Sequence, residues 1–158
     1  KQLEIEPTRI AHMFAANERS VIEDFALAFS VKKYARDPQI KKTISQVVRQ
    51  YAEQGHVIIV GRAGCVLTNH IEKALHVKLI ASDKYRVEQV KKRFNLKKAD
   101  AVSRVAEFDL HRKTFMRFYN GDKPDANLFD MVLNREKMSN NELVESLFRA
   151  MEYRNIIL

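Results

Sequence analysis

Apolar positions along this chain change period several times, and the changes predict its elements. From residue 39, Ile40, Ile44, Val47, Val48 and Tyr51 recur at helical spacing, which predicts an amphipathic helix that stops at Gly55. A β-branched run follows, Val57, Ile58, Ile59 and Val60, and it ends in the glycine turn Gly61-Arg62-Ala63-Gly64. Such a run predicts a buried parallel strand over residues 56–60. Residues 63–70 read as a short helix. Residues 75–80 (LHVKLI) alternate as a second strand. Ser82 or Asp83 can cap the next helix, which carries Val87, Val90 and Phe94 and breaks at Asn95. Residues 98–119 read as one long helix, ended by Asn120-Gly121-Asp122. Residues 129–133 (FDMVL) predict a third strand. Ser139 opens the last helix, and Glu142 stands at the capping-box position after it.

Ahead of these elements, residues 1–20 are polar and read as helical, with Pro7 near a helix start. Residues 21–34 are more apolar, and Asp37-Pro38 punctuates. The order is helices, then strands alternating with helices, which implies parallel strands in a three-layer α/β sheet. Three strands are too few for a complete doubly wound sheet. The sequence opens at Lys1 inside a helix-like stretch, so it reads as part of a longer protein whose first strand lies outside it.

Composition narrows the class. A chain of 158 residues that is 46% hydrophobic can build one domain with a real core. Glycine (4) and proline (3) are too scarce for disorder or for an all-β fold built on tight turns. No apolar run approaches the ~20 residues of a membrane span, and no signal peptide is visible, so no membrane partner is expected. The single cysteine, Cys65, cannot form an internal disulfide, which points to the reducing cytoplasm. Cysteine and histidine are not spaced as a zinc site, and no metal ligands are assigned. The net charge of +8 suits anionic partners, although charge alone favours the plainer reading of a solvated basic surface.

Candidate chemistry lies in the arginines. Ligands of open α/β sheets bind outside the carboxyl ends of the strands, where Arg62 stands and can grip a phosphate in two-pronged fashion. Asp109 lies one helical turn before Arg112, so the two share a face. The carboxylate can hold the guanidinium or accept from a sugar hydroxyl. Taken alone, the pair also reads as an ordinary surface ion pair. Arg104, Lys113 and Arg117 stand around them, and Phe115, Phe118 and Tyr119 read as core or lid packing. A second basic group, Arg86, Lys91, Lys92, Arg93, Lys97 and Lys98, follows the 75–80 strand. Its lysines read as a solvated face, while Arg86 falls in the first turn after the strand. The five histidines are scattered and suggest neither nucleophilic catalysis nor metal binding. No glycine-rich phosphate loop occurs in the sequence.

These pieces, in this order over about residues 38–147, resemble the cytidylate-kinase-like branch of the P-loop nucleoside monophosphate kinases. The resemblance is carried by the helix from Pro38, by VIIVGRAG, by LHVKLIAS followed by Arg86, by Asp109-Leu110-His111-Arg112, by FDMVLN and by the closing helix. It implies a three-layer P-loop kinase-like domain and transfer of the γ-phosphoryl group of ATP, with Mg2+, to CMP, dCMP or a related nucleoside monophosphate. It also implies roles. Arg62 would grip the acceptor phosphate, Arg112 would reach the same phosphate from the lid, and Asp109 would contact the acceptor sugar. Lys41 would face the base, and Arg86 would lie near the donor nucleotide. Residues 1–37 would form an acceptor-binding insertion, 38–96 the core, 97–124 a lid-like long helix, and 125–158 the core strand and last helix.

The chain departs from the pattern of bacterial cytidylate kinases. Ala63 replaces an aspartate, Lys41 replaces an arginine, and Val105 stands where a further lid arginine is expected, with Arg104 beside it about 100° away around the helix. Without a phosphate loop, the chain as given is expected to have little or no kinase activity. A phosphotransferase for another small acceptor, a nucleic-acid-binding basic module running from Arg86 to Lys98, and a degenerate nucleotide binder remain as alternatives. The oligomeric state stays open.

Overall fold

The computed structural model describes residues 38–157. The helical segments expected within residues 1–34, and the insertion expected over residues 1–37, lie outside the described residues. The chain divides into two compact units, Lys1–Arg62 and Ala63–Leu158.

In the first unit, helix α1 (Pro38–Gln54) forms where the apolar spacing predicts it. Val47 and Val48 are buried. Gly55 follows at φ 73°, a left-handed conformation that glycine adopts without strain. The next segment departs from the expectation. Residues 56–60 form no strand, and Ile58 and Val60 are 91% and 78% exposed. A strand exists only when a neighbour takes up its N–H and C=O groups, and the sheet among the described residues does not include this segment. The chain then turns through Gly61, Arg62 and Ala63, all at positive φ (73°, 54° and 50°).

The second unit holds the sheet. It begins with the short helix α2 (Gly64–Leu67) and continues through β1 (Val77–Ile80), α3 (Asp83–Phe94) and α4 (Lys98–Asn120). A 3-10 turn (Ala126–Leu128), β2 (Met131–Asn134) and α5 (Asn140–Tyr153) complete it. β1 and β2 pair in parallel, with Val77 opposite Met131 and Ile80 opposite Asn134. Parallel pairing demands a long crossover, and the α3–α4 hairpin supplies it. The result is a helix-rich α/β fold with a small open parallel sheet of two strands among the described residues.

Local signals in the sequence set the helix ends. Ser82 Oγ accepts from the Tyr85 N–H at 3.2 Å and starts α3. Asn95, at φ 51°, ends it, and its N–H returns to the Lys91 carbonyl. In α5 the Glu142 N–H donates to Ser139 Oγ at 3.2 Å, and the Ser139 N–H donates to Glu142 Oε2 at 2.7 Å, a complete capping box. The core of the hairpin is Val87, Ala101 and Val105, with Val90 and Leu96 packed against it. Ala101 is fully buried, and its small side chain permits close approach of the helices. No helix among the described residues is long and apolar enough to cross a membrane.

Candidate functional site

The α3–α4 hairpin gathers three of the sequence-identified residues. Arg86 lies in the first turn of α3, which the Ser82 cap fixes, and Asp109 lies midway along α4. The Arg86 guanidinium donates through Nη1 to Asp109 Oδ2 at 2.9 Å and through Nη2 to Oδ1 at 2.5 Å. This is a two-pronged pair between helices. Arg112 Nη1 donates to the same Oδ1 at 2.8 Å from one turn further along α4. Asp83 Oδ1 accepts a longer bond from Arg86 Nη1, at 3.3 Å.

Charge follows this geometry. The Arg86 hydrogen bonds outweigh burial and, with the nearby Arg112 charge, hold the Asp109 carboxyl below the usual carboxylate range. The Asp109 hydrogen bond in turn raises Arg86 above its ordinary value. The two arginines differ in what they leave available. Arg86 is committed to Asp109 and 26% exposed, whereas Arg112 is 65% exposed and touches Asp109 through one nitrogen. The arrangement therefore presents one anchored, outward guanidinium suited to a phosphate or carboxylate.

Lys41 and Arg62 belong to the first unit, Lys41 half-buried on α1 and Arg62 buried in the left-handed turn. Val105 is 6% exposed inside the hairpin core. Arg104, its neighbour, lies beside Phe94 and Phe108, with Cζ 5.8 Å and 5.3 Å from their ring centroids, and pairs with Glu107 at 3.7 Å. No lid arginine is presented from position 105, because that face of α4 is needed for packing.

Beyond the carboxyl ends of the strands, the Ser82 N–H donates to Glu136 Oε2 at 2.9 Å. Arg135 donates to the Met138 carbonyl and to Asn140 Oδ1, each at 2.7 Å. The first bond ties together the loops that follow β1 and β2, and the Arg135 bonds brace the second loop.

Sequence reasoning missed a second polar chain at the opposite end of the sheet. Thr68 Oγ1 and His76 Nε2 are 2.8 Å apart, and Asp130 Oδ2 accepts from the His76 main-chain N–H at 2.7 Å, with Nδ1 3.3 Å away. Arg154 Nη1 pairs with Asp130 Oδ1 at 2.9 Å. Burial works against ionisation of Asp130, but the His76 N–H and Arg154 outweigh it and hold its carboxyl below the usual range. Thr68 is buried and its hydroxyl also bonds the Gly64 carbonyl, so the group joins α2, both strands and the end of α5 rather than exposing a nucleophile. His76 and Asp130 are 54 residues apart, and no local pattern marks them as partners.

Among the described residues, no group of three or more His, Cys, Asp or Glu side chains could hold a metal ion. Burial pushes the Cys65 thiol up, away from the reactive thiolate.

Comparison with known proteins adds the family. The model of the cytidylate kinase-like family matches residues 2–137. A cytidylate kinase of Pyrococcus horikoshii is 31% identical over 111 residues, which cover 68% of this chain and 56% of that protein. One of Pyrobaculum islandicum is 24% identical over 147 residues, covering 88% of this chain and 79% of that protein. One of Sulfurisphaera tokodaii is 26% identical over 161 residues, covering 99% and 88%. The chain thus spans little more than half the length of some of the curated relatives it matches. A match that runs through VIIVGRAG, the β1–α3 junction, Asp109–Arg112 and β2 takes in the arginine-bearing elements in their order, and the chain belongs to the cytidylate kinase-like family.

Proposed function

We propose that the protein transfers the γ-phosphoryl group of ATP to a nucleoside monophosphate, with CMP or dCMP as the acceptor. The observation that carries this reading is Arg112, an exposed guanidinium on the long helix, anchored through Asp109 to Arg86 on the neighbouring helix. Phosphoryl transfer asks little covalent chemistry of a protein and depends on positioning and positive charge. In this reading Arg62 and Arg112 grip the acceptor phosphate, and Lys41 faces the base. Asp109 orients Arg112 and contacts the acceptor sugar, and Arg86 lies near the donor nucleotide. Residues 1–37 form the acceptor-binding insertion, 38–96 and 125–158 the core, and 97–124 the lid.

ATP and magnesium follow from the family. The sequence has no glycine-rich phosphate loop, and the described residues offer no carboxylate cluster for the metal. When bound, magnesium would neutralise charge between the donor phosphates. A second reading, transfer to another small acceptor on the same scaffold, is favoured by Ala63, by Lys41 and by the burial of Val105.

The test uses the full-length gene product with γ-labelled ATP and a panel of CMP, dCMP, UMP, AMP, GMP and small non-nucleotide alcohols and acids. Label is expected to pass fastest to CMP or dCMP. Transfer confined to the non-nucleotide acceptors would establish the second reading, and transfer to none of the panel would sink both.

A further inference from the structure

The cations at the joint between α3 and α4 have no part in the proposed reaction. Lys91, Lys92, Arg93, Lys97, Lys98 and Arg104 stand there against one carboxylate within residues 91–104, Asp100. Lys91 pairs with Glu88 at 3.8 Å and Arg104 with Glu107 at 3.7 Å. Lys92, Arg93, Lys97 and Lys98 are exposed and form no ion pair among the described residues.

Helix energetics explain only some of them. Lys91, Lys92 and Arg93 occupy the last turn of α3, where cations complement the negative end of the helix dipole. Lys97 and Lys98 open α4, where a cation opposes the positive end. The joint is also not built to enter a membrane. Leu96 packs on the hairpin core, Phe94 is half-buried, and Val102 is the exposed large apolar side chain of residues 91–105. Interfacial lipid binding needs an apolar face beside the cations. What the joint offers instead is a dense, uncompensated charge and a planar cation, Arg93, with its Cζ 5.9 Å from the Phe94 ring. Arginine planes and aromatic rings are what unstacked bases lie on, and lysines are what phosphodiester groups pair with.

We infer that the α3–α4 joint is a docking surface for single-stranded RNA, separate from the nucleotide chemistry. The strand's backbone phosphates pair with Lys92, Lys97 and Lys98, and a base lies against Arg93. This inference does not depend on the proposed reaction, since the joint shares no residue with the Arg86–Asp109–Arg112 cluster.

Fluorescence anisotropy with a labelled single-stranded RNA tests it on the full-length gene product. Binding is expected to fall with salt at a slope of about −2 in log K against log concentration, for about three phosphate contacts. Lys97→Glu with Lys98→Glu is expected to weaken binding about tenfold or more and to lower the slope by about 1.4. Arg149→Glu, on α5, leaves binding unchanged. If the reversed pair fails to fold by circular dichroism, Lys92→Ala with Lys97→Ala shows a smaller loss in the same direction. The inference is overturned by no RNA binding at about 50 mM salt or by equal binding of the altered and unaltered proteins. It is also overturned by full displacement of RNA by CMP plus ATP, or by binding to phosphatidylserine–phosphatidylcholine vesicles without binding to RNA.

Discussion

Residues 57–60 and β1 (Val77–Ile80) make an instructive pair. Both are short, largely apolar runs, and each is followed by an arginine to which the family resemblance gives a role, Arg62 toward the acceptor phosphate and Arg86 toward the donor nucleotide. β1 lies in a ladder with β2, and the cap that follows it sets Arg86 at a defined place on α3. The earlier run pairs with no described strand, and Ile58 and Val60 are exposed. Its arginine is buried in a left-handed turn shared with Gly61 and Ala63. Pattern confers the capacity to be a strand, but a partner confers the strand itself. The two arginines also differ in backbone setting. Arg86 lies in a capped helical turn and bonds Asp109, and Arg62 lies in a left-handed turn.

The hairpin side of this comparison can be broken at its core. Val105→Arg, which places there the lid arginine that the family resemblance leads one to expect, should destabilise the protein by about 3 kcal/mol or more, because it puts an unpaired charge among Val87, Ala101 and Leu96. Chemical denaturation measures this. A change near zero would mean that the helices part readily and that position 105 is open to a lid role.

Asp109→Asn sharpens the comparison with a smaller effect. The folded-state pKa of Asp109 is depressed, so its contribution is present above the ordinary carboxylate pKa and is lost as pH falls through the folded value. The residue is 41% exposed, and the expected loss at neutral pH is no more than about 1 kcal/mol. Stability curves of the two proteins should converge in acid. Curves that stay parallel down to the lowest pH would show that the Arg86–Asp109 pair does not carry the difference.

Much of the fold was legible wherever the signal was local. The capping box of Ser139 and Glu142, the Ser82 cap, the Asn95 stop and the Gly121 end of α4 all stand where the residues placed them. Strand edges were less legible, and β2 runs one residue beyond the apolar run FDMVL at its carboxyl end and begins two residues later. The strand expected over residues 56–60 failed because pairing is a property of two segments. Asp109 and Arg112 could be read as neighbours from helical spacing. The stronger bond, from Arg86 to Asp109, spans 23 residues and follows from how α3 folds back on α4. The chain Thr68–His76–Asp130–Arg154 was invisible for the same reason.

The proposed function gives Arg62 in the glycine turn and Arg112 on the long helix each a contact to the phosphate of a nucleoside monophosphate. It is tested most directly by kcat/KM for CMP in the full-length gene product, measured for Arg62→Ala, Arg112→Ala and the unaltered protein, with folding checked by circular dichroism. Each substitution is expected to lower kcat/KM by about a thousandfold, the scale of an arginine that stabilises a transferring phosphoryl group. Folded variants that turn over CMP within about twofold of the unaltered protein would contradict the account.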